Sequence, residues 1–207
     1  MCWNADVSLA TFLIGVLVCY SLFKRNKKFD KTIGLFILFY SSIQFGEFLI
    51  WKSLQGEKYG FATPQELNAY ATKLIYVNLY SHAAVVGAGI YYETKNSLYL
   101  KLGMIPLIYG LIKIPTFNPV TEDGKEKFIS KPTENSKRQI VWDFDKNFYI
   151  LVCLITLYTL YSFKELRPMA IFFVVTCIIS YSLNREGGDS YWCWISAFTS
   201  MYALHYR

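Results

Sequence analysis

The chain has 207 residues, 54% of them hydrophobic and 18% aromatic, and its mean hydropathy is +0.26. Charged residues make up 17%, well under the roughly 25% of soluble domains, so the excess apolar surface calls for lipid around it. A net charge of +6 would suit nucleic acid, but the basic residues fall in short clusters between apolar runs, where they act as topology signals, and nucleic acid is excluded as a partner.

Apolar runs occur at residues 7–23, 32–54, 69–92, 97–114, 147–163, 168–183 and 190–206. Each is near the 17 to 25 residues, roughly, that a spanning helix needs, with the fourth, sixth and seventh at the short end. The expected fold class is therefore all-α: a polytopic transmembrane bundle of about seven helices in a single domain over residues 1–207. A soluble bundle is a poor alternative, because an amphipathic helix carries a charged face and these runs carry almost no charge.

The first run is followed, not preceded, by basic residues: Lys24, Arg25, Lys27, Lys28 and Lys31. It reads as an uncleaved first helix with its N-terminus outside or in a lumen. Counting onward, Lys95, Lys101, Lys164, Arg167 and Arg207 also fall inside, against Lys52, Lys58 and Arg185 outside. Ten against three gives N-out and C-in. The stretch 116–146 mixes basic and acidic residues and holds Pro119, Pro132 and Gly124, so it reads as an extramembrane loop, an ordered turn or a flexible hairpin. No internal repeat is visible, which lowers the expectation of a repeat-built transporter.

The second run places Tyr40, Gln44, Glu47 and Trp51 on one stripe, at spacings of four, three and four. A carboxyl group at the depth of Glu47 is costly in lipid and is expected to face the bundle interior or a wet cavity. The third run places Asn78, Ser81 and His82 on one face. Counted from the outer ends of the two runs, Asn78 falls near Glu47 and His82 near Gln44, so two polar layers are expected between the helices. A Glu–His pair would relay protons or sense pH, since imidazole titrates near neutrality. The alternative is a set of hydrogen bonds that simply holds two helices together.

The cysteines, at positions 2, 19, 153, 177 and 193, show no C-x-x-C spacing. Topology puts Cys2 and Cys193 on one side of the membrane, where a disulfide would join the first and last helices if that side is oxidising. No metal site is read from the sequence, and no cofactor is expected. The last run has no lysine for a retinal Schiff base. Two histidines, His82 and His205, cannot supply the three of a membrane zinc hydrolase. No TVGYG-type filter occurs, and the chain reads as a non-enzyme.

The opening Met1-Cys2-Trp3-Asn4, the stretch Ile43-Gln44-Phe45-Gly46-Glu47-Phe48-Leu49-Ile50-Trp51 and the late Trp192-Cys193-Trp194 resemble an uncharacterised multi-pass membrane protein family of large DNA viruses of protists. The resemblance covers the rest of the chain only in its order of helices. It implies localisation in a membrane and no mechanism.

Two functions remain open. One is transport or sensing of a small solute or protons through the cluster Gln44, Glu47, Asn78, Ser81 and His82. The other is a structural or interaction component of a viral or host-derived membrane. The lipid bilayer is the partner common to both. Which membrane holds the chain (host endomembrane, plasma membrane or virion membrane) and its oligomeric state are not legible in the sequence.

Overall fold

The computed structural model describes residues 4–57, 62–114, 130–132, 140–142, 146–183 and 204–205. Six helices run in chain order among them: α1 (Ala5–Arg25), α2 (Asp30–Leu54), α3 (Pro64–Thr94), α4 (Ser97–Lys113), α5 (Lys146–Tyr161) and α6 (Arg167–Leu183). The first three are long and apolar enough to cross a membrane. At about 1.5 Å per residue, α3 alone would reach roughly 46 Å, more than a hydrocarbon core of about 30 Å.

Each helix boundary has a local cause. Asn4 caps α1 by accepting from the Val7 backbone N–H at 2.9 Å. Asn26 ends α1 in the left-handed region with φ 53°, which asparagine tolerates better than most residues. Phe29 takes φ 66° at the start of α2. That conformation is unfavourable for a residue with a large side chain, and burial of the whole Phe29 ring, 5.5 Å from the Phe163 ring, holds it there. α3 opens on a capping box: Thr63 and Glu66 each bond the other's backbone, and Pro64 follows the cap. Asn96 starts α4 by accepting from Leu98 at 3.0 Å.

The six helices form a hairpin-built bundle with α3 at its centre, packed against α2, α4 and α5. One end gathers three turns. Lys28 of the α1–α2 turn pairs with Glu165 of the α5–α6 turn at 2.7 Å; the Lys28 amine holds the Glu165 carboxyl below the ordinary carboxylate range. Tyr99, just past the α3–α4 turn, packs its ring 5.2 Å from Phe163. Arg25 and Asp30 close the α1–α2 turn with two charge-assisted bonds of 2.6 and 2.8 Å. At the other end, Tyr109 of α4 stacks on Phe148 of α5 at 3.7 Å.

The helices meet in two ways. Between α3 and α4 the backbones touch: a Cβ at Gly103 would overlap the Ala83 carbonyl, one at Gly87 the Tyr99 carbonyl, and one at Gly110 the Tyr80 ring. Gly103, Pro106 and Gly110 are the buried residues of α4, so its contact is a stripe of small or ring-closed residues. Between α1, α2 and α3 glycines meet side chains, Gly15 against Ser41 and Gly46 against Ile75, and larger residues fill the contact, with Phe36, Ile43, Ile50, Ile75 and Tyr76 wholly or almost wholly buried.

Outward surfaces are apolar. Leu17 on α1, Ile112 on α4, Leu154 on α5 and Ile178 on α6 are each more than half exposed. In water such a belt would drive aggregation. In lipid it is the solvent-facing side, and it makes this a membrane-embedded protein.

The expected loop 116–146 carries a short antiparallel strand pair. Strand β1 (Ser130–Pro132) pairs antiparallel with β2 (Ile140–Trp142), setting Ser130 opposite Trp142. The rest of that loop lies outside the described residues. So do Cys2, Cys193 and, apart from helical residues 204–205, the seventh run at 190–206. Cys19 is a buried free thiol.

Candidate functional site

The stripe on α2 is buried along its whole length: Tyr40 is 5% exposed, Gln44 and Glu47 0%, and Trp51 8%. Residues at i, i+4, i+7 and i+11 share a helix face, and here that face lies inside the bundle. It is polar where a lipid-facing stripe would be aliphatic.

Three contacts fix the antiparallel register of α2 against α3. Ser42 donates to the Asn78 side-chain oxygen at 2.6 Å. Asn68 donates to the Ser53 hydroxyl at 3.2 Å. Between them, a methyl group added at Gly46 would come within 2.5 Å of the Ile75 side chain. Glu47 therefore lies level with the turn of α3 that runs from Thr72 to Tyr76. Depth counted from the ends of the apolar runs misses this level by about one helical turn. The reason is that α3 begins at Pro64, ahead of its apolar run, and the Asn68–Ser53 bond sets the register.

The five expected site residues are accordingly distributed along a column. Gln44 and Glu47 occupy its middle on α2. Asn78 faces Ser42 and donates to the Leu74 carbonyl at 2.9 Å. Ser81 is buried but donates back to the Asn78 carbonyl at 2.9 Å, so its hydroxyl proton is used within its own helix. His82 sits further inward, with its ring 5.2 Å from Tyr40 and 5.7 Å from Phe36. Phe173 of α6 closes the same pocket, 5.6 Å from Tyr40 and 5.9 Å from Phe36. Seven residues of α2 separate Tyr40 from Glu47, a rise of about 10 Å, so the structure does not set the imidazole beside the carboxyl group. His82 is 2% exposed, and its Nε2 has no hydrogen-bond partner among the described residues.

The part of the column next to the α2–α3 turn holds groups that the sequence did not single out. Asn68 donates to the Ser130 carbonyl at 3.0 Å and accepts from the Ser130 N–H at 3.1 Å. Thr72 shares a 2.7 Å hydrogen bond with the Ser130 hydroxyl. Ser53, Asn68, Thr72 and Ser130 are each 2% exposed or less. Strand β1 is thus bonded through one serine to the end of the α2–α3 hairpin. The spacing of Asn68 and Thr72, one turn apart, was a legible signal; Ser130 lies 62 residues from Asn68 and gave none.

Buried tyrosines extend the polar inventory. Tyr76 on α3 is 0% exposed and Tyr149 on α5 6%. From the hairpin end inward the order is Ser53 with Asn68 and Ser130, then Thr72, Glu47 and Tyr76, then Gln44, Ser42 with Asn78, and His82 with Tyr40. Such an array can hold a polar solute, pass protons between hydroxyl, carboxyl and imidazole groups, or bind helices to one another. Among the described residues no three His, Cys, Asp or Glu side chains gather as a metal-ligand set. No family model, curated protein or solved structure matches the chain.

Proposed function

We propose that this is a multi-pass membrane protein that passes or senses protons, or a small polar solute, through the α2–α3 column. Glu47 is its titratable centre, and His82 closes the inner end. The observation that carries the reading is a carboxyl side chain with no exposed surface on a bundle-facing stripe of a membrane-spanning helix. Ionisable residues in such positions mark ion and proton pathways more often than they serve as lipid contacts. His82, 2% exposed with Nε2 unpartnered among the described residues, adds a second proton-binding group on the same axis.

The proposed topology is seven crossings with the N-terminus out and the C-terminus in. Arg25 donates to the Leu204 carbonyl at 2.8 Å, which supports it. That bond holds residue 204 at the end where the α1–α2 and α5–α6 turns meet. α6 starts at that end with Arg167 and carries the chain about 25 Å away by Leu183. The proposed seventh crossing accounts for residue 204 lying at that end. The same end carries Lys24, Arg25, Lys27, Lys28, Lys95 and Lys164, as a cytoplasmic face would.

A second reading is favoured by the Ser42–Asn78 bond and the Asn68–Ser130 set: here the column only locks the bundle of a structural component. Under this reading the component belongs to a viral or host-derived membrane, which is what the family resemblance implies. Reconstituting the full chain and its Glu47→Gln variant in liposomes, with a pH-sensitive dye inside, separates the two. Under the first reading the variant keeps its helix content and melting temperature and loses most of its proton flux. Unchanged flux with a lower melting temperature would overturn it in favour of the second.

A further inference from the structure

A groove of about 400 Å³ opens on the outer surface where the end of α1, the start of α2 and the end of α3 converge, at the basic end of the bundle. Its walls are Phe23, Leu35, Ala88 and the Tyr92 ring, and its floor is Gly89. Gly89 lets α3 approach α2 closely at the floor, since a Cβ there would lie 2.5 Å from the Thr32 hydroxyl oxygen. That hydroxyl belongs to a residue 1% exposed, lines the groove, and has no hydrogen-bond partner among the described residues.

Two ammonium groups approach the Tyr92 wall of the groove. Lys31 Nζ and Lys95 Nζ each lie 5.3 Å from the centre of the Tyr92 ring. Neither lysine forms an ion pair among the described residues, whereas their neighbours Arg25 and Lys28 are paired with Asp30 and Glu165. Two like charges drawn to one half-exposed ring, above a slot of carbon, leave an uncompensated positive site at the membrane surface.

The geometry points to a binding site for one anionic diacyl phospholipid: its phosphate lies between Lys31 and Lys95, an acyl chain fills the slot over Gly89, and the Thr32 hydroxyl donates to a glycerol ester oxygen. Basic pockets between membrane helices at the cytoplasmic surface select anionic head groups in this way. The charge supplies the head-group preference and the apolar slot supplies chain affinity. The site is separate from the α2–α3 column and does not depend on what that column does.

Native mass spectrometry of the full chain in detergent, with phosphatidylglycerol or phosphatidylcholine of matched chains added, tests the assignment. Wild type retains phosphatidylglycerol in preference. Lys31→Gln with Lys95→Gln lowers that preference by about fivefold per lysine and leaves phosphatidylcholine retention unchanged. Ala88→Trp fills the slot from an exposed position and lowers retention of both lipids. A charge-matched control, Lys101→Gln with Lys164→Gln, keeps the preference. Loss of the preference in the control to the same extent would show diffuse surface attraction, and full lipid retention by Ala88→Trp would show an empty slot; either result overturns the proposal.

Discussion

α3 has two kinds of neighbour, and the difference between its two faces shows how a membrane helix is held without a hydrophobic driving force. Towards α4 it presents Ala83, Ala84 and Gly87 and receives Gly103 and Gly110, so backbones touch and dispersion does the work. Towards α2 it presents Asn68, Thr72, Asn78 and His82, and polar groups meet across the interface. At Gly103 and Gly87 the first face would meet backbone with any added volume, and the second face adds side-chain hydrogen bonds to its packing. Gly46 makes the contrast within one residue type: a Cβ there would meet the Ile75 side chain, whereas at Gly103 it would meet the Ala83 backbone carbonyl.

The largest effect is expected from Gly103→Leu, which drives a side chain into the Ala83 backbone and should separate α4 from α3 at a cost of about 3 kcal/mol. Thermal unfolding in detergent would register it, and a melting temperature equal to wild type would show that the α3–α4 contact can slide. Next comes Asn68→Ala, which removes the bonds to Ser53 and Ser130 and leaves the Ser130 N–H and carbonyl without Asn68. About 2 kcal/mol is expected, with the earliest change in hydrogen exchange around Ser130. If exchange there stayed at the wild-type rate, the strand would not depend on the hairpin end. The smallest is Ser42→Ala, which deletes one bond across α2 and α3. Membrane hydrogen bonds average about 0.6 kcal/mol, so its shift should be a fraction of that for Gly103→Leu; a comparable shift would mean that the polar face is the stronger of the two.

Much of this arrangement was legible in the residues, for identifiable reasons. A stripe at Tyr40, Gln44, Glu47 and Trp51 follows from helical periodicity alone, because lipid rejects those side chains and only one interior is available. The existence of a polar α2–α3 contact needed no more than that. Its register did not follow, since depth depends on where the connecting turn closes, and the Thr63–Glu66 cap moves the start of α3 ahead of its apolar run. His82 consequently lies against Phe36 and Tyr40, whose rings also meet Phe173, about 10 Å along the axis from Glu47. The aromatic contact from α6 to Tyr40 could not be anticipated, Phe173 being 133 residues further along in a helix with no polar signal at that point.

By itself, the sequence determined the solvent. Long uncharged runs bounded by lysines can be satisfied only by lipid, whatever their packing, because transfer of apolar area is a property of composition. It also determined where helices begin and end, since Asn4, Thr63, Asn96 and the left-handed Asn26 act on their own neighbours. Only the tertiary structure decided which polar groups face one another, that Ser130 is bonded to Asn68, and that Lys31 and Lys95 share one ring. Those contacts join residues that are 62 and 64 positions apart, and such pairings are set by how helices stack and by close approach at glycines, which no local propensity encodes.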